Sequence, residues 1–288
     1  MLVHIKNLVT QAQKNKYAVG AFNTCNLETT LGIVRAAVKK KSPVIVQVSE
    51  ATIKYAGLQN IVAIIKSVSN TEGRSVPIAL HLDHGKSFEM SVSCIKAGFS
   101  SVHIDASDLS FENNIKLTKR VAELARSKGV WVQAELGSLI GHEGLTKVVI
   151  PKDADSYMTD PTTVKEFIKR TGVNSLAVSV GAMHGSFKGK EKIQLPRLRK
   201  IHQQAPNMPL VLHGASGLSS RDILGAIKLG VRIINIDTDL RIAFTETLRA
   251  TMKTMPKTFY DPRKVLAPSI ETIQDVVEKH IAAFGSGK

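Results

Sequence analysis

Apolar residues along this chain gather in short runs bounded by turn formers, and the runs alternate with longer stretches in which apolar positions recur at helical spacing. After a first helix ending near Gln13, the runs predict strands over residues 17–23, 43–48, 77–82, 101–104, 130–135, 175–180, 209–212 and 231–236. The periodic stretches between and after them predict helices over 27–39, 58–69, 87–97, 111–128, 161–171, 196–204, 219–229, 239–251 and 269–284. Strand and helix alternate without a linker or low-complexity segment. That order predicts an α/β protein, a single (β/α)8 TIM barrel spanning residues 1–288.

Two connections break the short-loop pattern. Residues 137–160 include Gly137, Gly141 and Gly144, as a closing active-site lid would, and residues 181–195 are rich in Gly and Lys. Both leave the C-terminal ends of predicted strands, the side of a barrel on which active sites are built.

The third predicted strand ends in residues that no strand interior favours: His81, Asp83 and His84, followed by Gly85. Alternation places His81 and Asp83 on one side, and a turn at Gly85 would swing His84 to the strand mouth. His184 follows the sixth strand and His213 ends the seventh. Three imidazoles at one rim, with a fourth position open to substrate or water, form a catalytic zinc set. Asp105 and Glu135 end neighbouring strands, where they can orient or replace a ligand, or bond to loop backbone. Gly185 and Lys188, Gly214 and Ser216, and Asn235, Asp237 and Thr238 supply backbone N–H groups, hydroxyls and a cation at adjoining strand ends, as a phosphate site requires.

Composition narrows the alternatives. With 43% hydrophobic and 22% charged residues over 288 positions the chain is of ordinary globular composition. Its apolar runs are too short to cross a bilayer and its start lacks a signal-peptide core, so a cytoplasmic protein without membrane partners is expected. Cys25 and Cys94 are the only cysteines, which leaves any metal to His and carboxylate. The net charge of +15 is scattered through helical segments rather than gathered in an arm, which argues against specific nucleic-acid binding and favours attraction of phosphorylated substrates.

The ordered set Ala18-Val-Gly-Ala-Phe-Asn23, Val48-Ser-Glu50, His81-Leu-Asp-His-Gly85, Glu135-Leu-Gly137, Thr159-Asp-Pro161, His184-Gly185, His213-Gly-Ala-Ser216, Asn235-Ile-Asp-Thr238 and Asp261-Pro-Arg-Lys264 resembles the class II, metal-dependent ketose-bisphosphate aldolases, and covers nearly the whole chain. The resemblance implies reversible cleavage of fructose 1,6-bisphosphate to dihydroxyacetone phosphate and glyceraldehyde 3-phosphate. Tagatose 1,6-bisphosphate as substrate, or a noncatalytic sugar-phosphate-binding subunit, are the alternatives. It implies one catalytic Zn2+ on His84, His184 and His213, with a second divalent or monovalent cation left open. Asp83 matches the proton-transferring carboxylate, and Glu143 the carboxylate of the lid, where His142 is its rival. Gly185, Lys188, Gly214, Ser216, Asn235, Asp237 and Thr238 match the positions that bind the dihydroxyacetone phosphate half, with Asn23 and Ser49 nearby. Arg241 matches the group that meets the distal phosphate. A homo-oligomer, dimer or tetramer, is implied as well, with Arg263 of a second copy approaching that phosphate. A lysine Schiff base, the rival aldolase chemistry, finds no lysine at the end of the sixth strand.

Overall fold

A sheet of parallel strands buried on both faces leaves no unpaired edge when it closes on itself, and the eight apolar runs do so. The computed structural model describes residues 1–139, 153–183 and 192–287. In it β1 (Val19–Asn23), β2 (Val44–Ser49), β3 (Ile78–Gly85), β4 (Ser101–Ile104), β5 (Trp131–Leu136), β6 (Ser175–Val178), β7 (Leu210–Leu212) and β8 (Val231–Ile236) pair in parallel and in chain order. Gly20 of β1 lies beside Ile234 of β8 and completes a closed barrel.

Each interior-facing row changes character along its strand. Val19, Ala21, Ile45, Ala79, Trp131, Ala177, Val211 and Ile233 form one apolar cluster at the N-terminal end of the barrel. Two residues further along the same faces stand Asn23, Gln47, His81, Gln133, Ser179, His213 and Asn235, all buried. The apolar half is closed from below by α1 (Ile5–Asn15), whose Ile5, Leu8, Val9 and Ala12 make a stripe at helical spacing. Most of the polar interior side chains thereby stand toward the C-terminal mouth, Ser101 and Ser175 at the starts of β4 and β6 being exceptions.

The outer faces of the strands carry the surrounding helices: α2 (Leu27–Lys39), α3 (Glu50–Ala56), α4 (Leu58–Thr71), α5 (Phe88–Ala97), α6 (Phe111–Ser127), α7 (Val164–Thr171), α8 (Leu195–Gln204), α9 (Ser220–Lys228), α10 (Thr238–Thr254) and α11 (Pro262–Phe284). A capping box starts α2, with Asn26 Oδ1 accepting from Thr29 N at 2.9 Å and Thr29 Oγ1 accepting from Asn26 N at 3.3 Å. Pattern reading omitted α3, a short helix capped by Ser49, and began α11 after Pro268, although that proline lies inside the helix. Proline removes a single backbone donor, and the rest of α11 is held by packing along α2 and α10. No helix among the described residues is long and apolar enough to cross a membrane.

Candidate active site

The site is built around an irregularity at the end of β3. Leu82 pairs with Val102 and Gly85 with Ile104, so Asp83 and His84 together oppose the single residue His103. This is a β-bulge, which adds one residue to a strand and turns the side chains near it. His84 absorbs the turn with φ of 47°, a left-handed conformation that costs a residue with a Cβ about 1–2 kcal/mol. Alternation alone would point Asp83 inward and His84 outward. The bulge brings both to the mouth, with His84 Nε2 3.9 Å from Asp83 Oδ1. The expected turn at Gly85 is therefore one residue earlier; Gly85 remains in the strand, and a Cβ there would lie 2.8 Å from the His103 carbonyl oxygen.

Three imidazoles meet over this bulge. The ring centres of His84 and His213 are 4.6 Å apart, those of His84 and His103 4.8 Å, and those of His103 and His213 5.2 Å. Gln133 Nε2 lies 3.1 Å from His213 Nε2 and Asn235 Nδ2 3.3 Å from His213 Nδ1. Asp83 is buried and accepts from Asn23 Nδ2 at 2.8 Å, Asn235 Nδ2 at 3.3 Å and Gln47 Nε2 at 3.4 Å. Burial would raise the Asp83 pKa, but the neighbouring His84 above all, with Asn23, holds it well below the usual carboxylate range. Asp83 is thus an ionised acceptor fixed by amides.

Asp105 and Glu135 differ although both face His84. Asp105 Oδ2 accepts from His84 Nδ1 at 2.7 Å and from Lys86 Nζ at 2.8 Å, while Oδ1 accepts from Ser107 Oγ at 2.6 Å and Ser107 N at 3.2 Å. Against the effect of burial, these partners keep its pKa low, and both of its oxygens are already engaged. Glu135 Oε2 lies 3.7 Å from His84 Nδ1 and 3.4 Å from His103 Nε2 and meets no hydrogen-bond donor among the described residues. Burial and the nearby charge of Asp105 push the Glu135 pKa well above the ordinary range. For His84, burial is outweighed by Asp83, Asp105 and Glu135, and its pKa rises to about 10.

These groups fit a divalent cation. Asp83, His84, His103 and His213 offer ligand atoms within 4.8 Å of one another, as do His84, Asp105 and Glu135. The carboxylates that keep His84 protonated mark a place where positive charge is stabilised, and a metal ion bound there would displace that proton. His103 was not singled out from the sequence, although it stands two residues before Asp105 on an inward-facing row and pairs with Gln133. Gln47 and Gln133 escaped notice too, as neutral amides inside apolar runs.

Beside the imidazoles, the expected phosphate-binding residues lie at neighbouring strand ends. Asn23 ends β1 and Asn235 lies near the end of β8; both amides reach Asp83. Gly214 has φ of 64°, and a Cβ there would collide with the Met183 carbonyl, so only glycine fits. Ser216 follows in the turn before α9. Thr238 opens α10, and Asp237 before it accepts from Arg241 Nε at 2.6 Å. Ser49 is buried at the end of β2 and caps α3 through Thr52 N at 3.4 Å. Arg263 stands apart, its highly exposed guanidinium paired with Asp261 at 3.0 Å. Gly141, His142, Glu143, Gly144, His184, Gly185 and Lys188 lie outside the described residues.

Comparison with known proteins agrees with this architecture. The family model for "Fructose-bisphosphate aldolase class-II" matches residues 3–288. The chain is 42% identical to a fructose-bisphosphate aldolase of Thermus caldophilus, with 99% of each chain covered. It is 41% identical to that of Geobacillus stearothermophilus, covering 99% of this chain and 97% of the relative. The crystal structure of the YdjI aldolase of Escherichia coli K12 superposes with a TM-score of 0.85 at 30% identity, over 100% of this chain and 98% of that one. The chain belongs to the class II fructose-bisphosphate aldolase family.

Proposed function

We propose that this protein cleaves fructose 1,6-bisphosphate reversibly into dihydroxyacetone phosphate and glyceraldehyde 3-phosphate, with Zn2+ as its metal. The observation that carries the reading is the ionised Asp83, fixed by Asn23 and Asn235 beside the imidazoles of His84 and His213 at the mouth of the barrel. His84 and His213 are the ligands among the described residues, and His184, outside them, is the third. When bound, the ion supplies Lewis-acid stabilisation for negative charge developing on the substrate carbonyl oxygen.

Asp83 then acts as the base. Breaking the C3–C4 bond requires the C4 hydroxyl to lose its proton, and an ionised carboxylate held by amide donors has a fixed lone pair to accept it. The electron pair of the broken bond stays on the three-carbon fragment, which is discharged by protonation at C3, a role we assign to Glu143. Asp105, with both oxygens engaged, orients His84 rather than binding the ion. Asn235, Thr238, Gly214 and Ser216, with Gly185 and Lys188, would hold the phosphate of the three-carbon half. Arg241 would meet the distal phosphate, and in a homodimer the Arg263 of a second copy would join it. Lys86, which reaches Asp105 beside the site, is kept charged by Asp105 and Asp108 against the effect of burial and so is a poor Schiff-base nucleophile.

The test is aldol cleavage with and without metal. A chelator should abolish cleavage and added zinc restore it, while borohydride with substrate leaves the enzyme active. A borohydride-trapped lysine adduct would overturn the reading.

A further inference from the structure

The bulge at Asp83 and His84 raises a question of backbone satisfaction. Two residues of β3 oppose one of β4, so the backbone ladder between the two strands is interrupted at this pair. At the interruption the N–H of His84 is met by a side chain: His84 N donates to His103 Nδ1 at 3.2 Å. His103 is fully buried and is the residue opposite the bulge. Its ring centre lies within 5.2 Å of those of both His84 and His213.

We infer that His103 is a positioning residue for the metal site: through Nδ1 it holds the left-handed turn that carries the His84 ring into the barrel mouth. An imidazole accepting at Nδ1 carries its proton, when neutral, on Nε2. That nitrogen, 3.4 Å from Glu135 Oε2 but not hydrogen-bonded to it, has no lone pair to give an ion while the bond to His84 lasts. His103 is therefore the floor of the site and His84 the ligand it holds in place. Without the acceptor, the His84 N–H loses this bond, the strained turn loses its support, and regular strand geometry would direct His84 outward.

The inference rests on the metal-dependent reading above, and the experiment separates the two. Zinc affinity is measured by competition with a chromophoric chelator on the wild type and on H103N, H103Q and H103L, with far-UV circular dichroism as a check on folding. Asn places its amide oxygen where Nδ1 now lies; Gln carries it one carbon too far, and Leu has no acceptor. The expected result is affinity lowered about 10-fold or more in H103L and H103Q and largely kept in H103N, the size of effect usual for groups that orient a ligand. Should H103L fail to fold, the contrast of H103N with H103Q carries the same information. The cobalt-substituted H103N protein should keep the wild-type visible spectrum, since no ligand has changed. The inference is overturned by equal affinity in all variants, by H103N losing as much as H103Q, or by an altered cobalt spectrum in H103N. A wild-type protein that binds no zinc, or cleaves without it, would instead overturn the reading on which the inference rests.

Discussion

His84 Nδ1 donates to Asp105 Oδ2 at 2.7 Å, which leaves the opposite ring nitrogen of His84 turned toward Asp83. The carboxylate thereby fixes both the tautomer and the direction of a metal-ligating ring. Replacing Asp105 by Asn removes the charge that makes this bond strong, and metal affinity should fall about 10- to 100-fold. Chelator competition measures it. Unchanged affinity would mean that backbone geometry alone orients His84.

Asp83 is surrounded by amides from Asn23, Gln47 and Asn235 that remain in place when its carboxylate is removed. Asp83→Ala should lower kcat roughly 100-fold or more, as loss of a general base does, while the protein keeps its zinc. Metal analysis beside steady-state kinetics separates the two effects. Loss of zinc from Asp83→Ala would make the residue a ligand instead of a base.

His81 is buried on the same face of β3 with Nδ1 2.8 Å from Ser101 Oγ, and burial lowers its pKa from 6.5 to about 3. Below pH 6.5 the unfolded chain takes up a proton there that the folded chain refuses until about pH 3, so stability is lost as pH falls through this window. The loss approaches about 1.4 kcal/mol per pH unit, and above the window His81 contributes no pH dependence. His81→Gln keeps a polar partner for Ser101 without the titration. Urea unfolding of both proteins from about pH 7 to about pH 4 should show the wild type losing stability faster; parallel curves would contradict the assignment.

Arg241 leans on Asp237 at the start of α10, half-exposed at the mouth. A guanidinium so placed pairs with a phosphate dianion by charge-assisted bonds. Arg241→Ala should raise KM for a bisphosphate while leaving the affinity for dihydroxyacetone phosphate nearly unchanged. Calorimetric titration with dihydroxyacetone phosphate, set beside the kinetics, makes the comparison. Equal losses for both ligands would place Arg241 at the other phosphate.

Much of this was legible in the sequence because a barrel repeats one local rule. A buried strand between helices announces itself by its apolar run, and period-two alternation then assigns each row to the interior. Val19 and Ala21 lead to Asn23, Ala79 and His81 to Asp83, and Val211 to His213, so the polar mouth follows from counting along each strand. The helix stripe of Ile5, Leu8, Val9 and Ala12 is equally local. Ser49 shows the limit within one element, since a hydroxyl at a strand end is as suited to capping α3 as to binding a ligand.

What the tertiary structure alone decided lies between strands. The sequence placed His84 at the mouth by a turn at Gly85; it reaches the mouth instead because β3 and β4 slip by one residue, and a register shift is a property of a pair, invisible in either strand's sequence. The same slip gives His103 its partner, the His84 N–H, which only the joining of the two strands brings within reach. Asp105 and Glu135 look alike at the ends of β4 and β5, yet one has both oxygens engaged and the other stays buried beside two imidazoles with Oε2 unmet among the described residues. Periodicity fixes which way a side chain faces along its own strand, whereas its charge, tautomer and partner depend on groups that only closure of the barrel brings within reach.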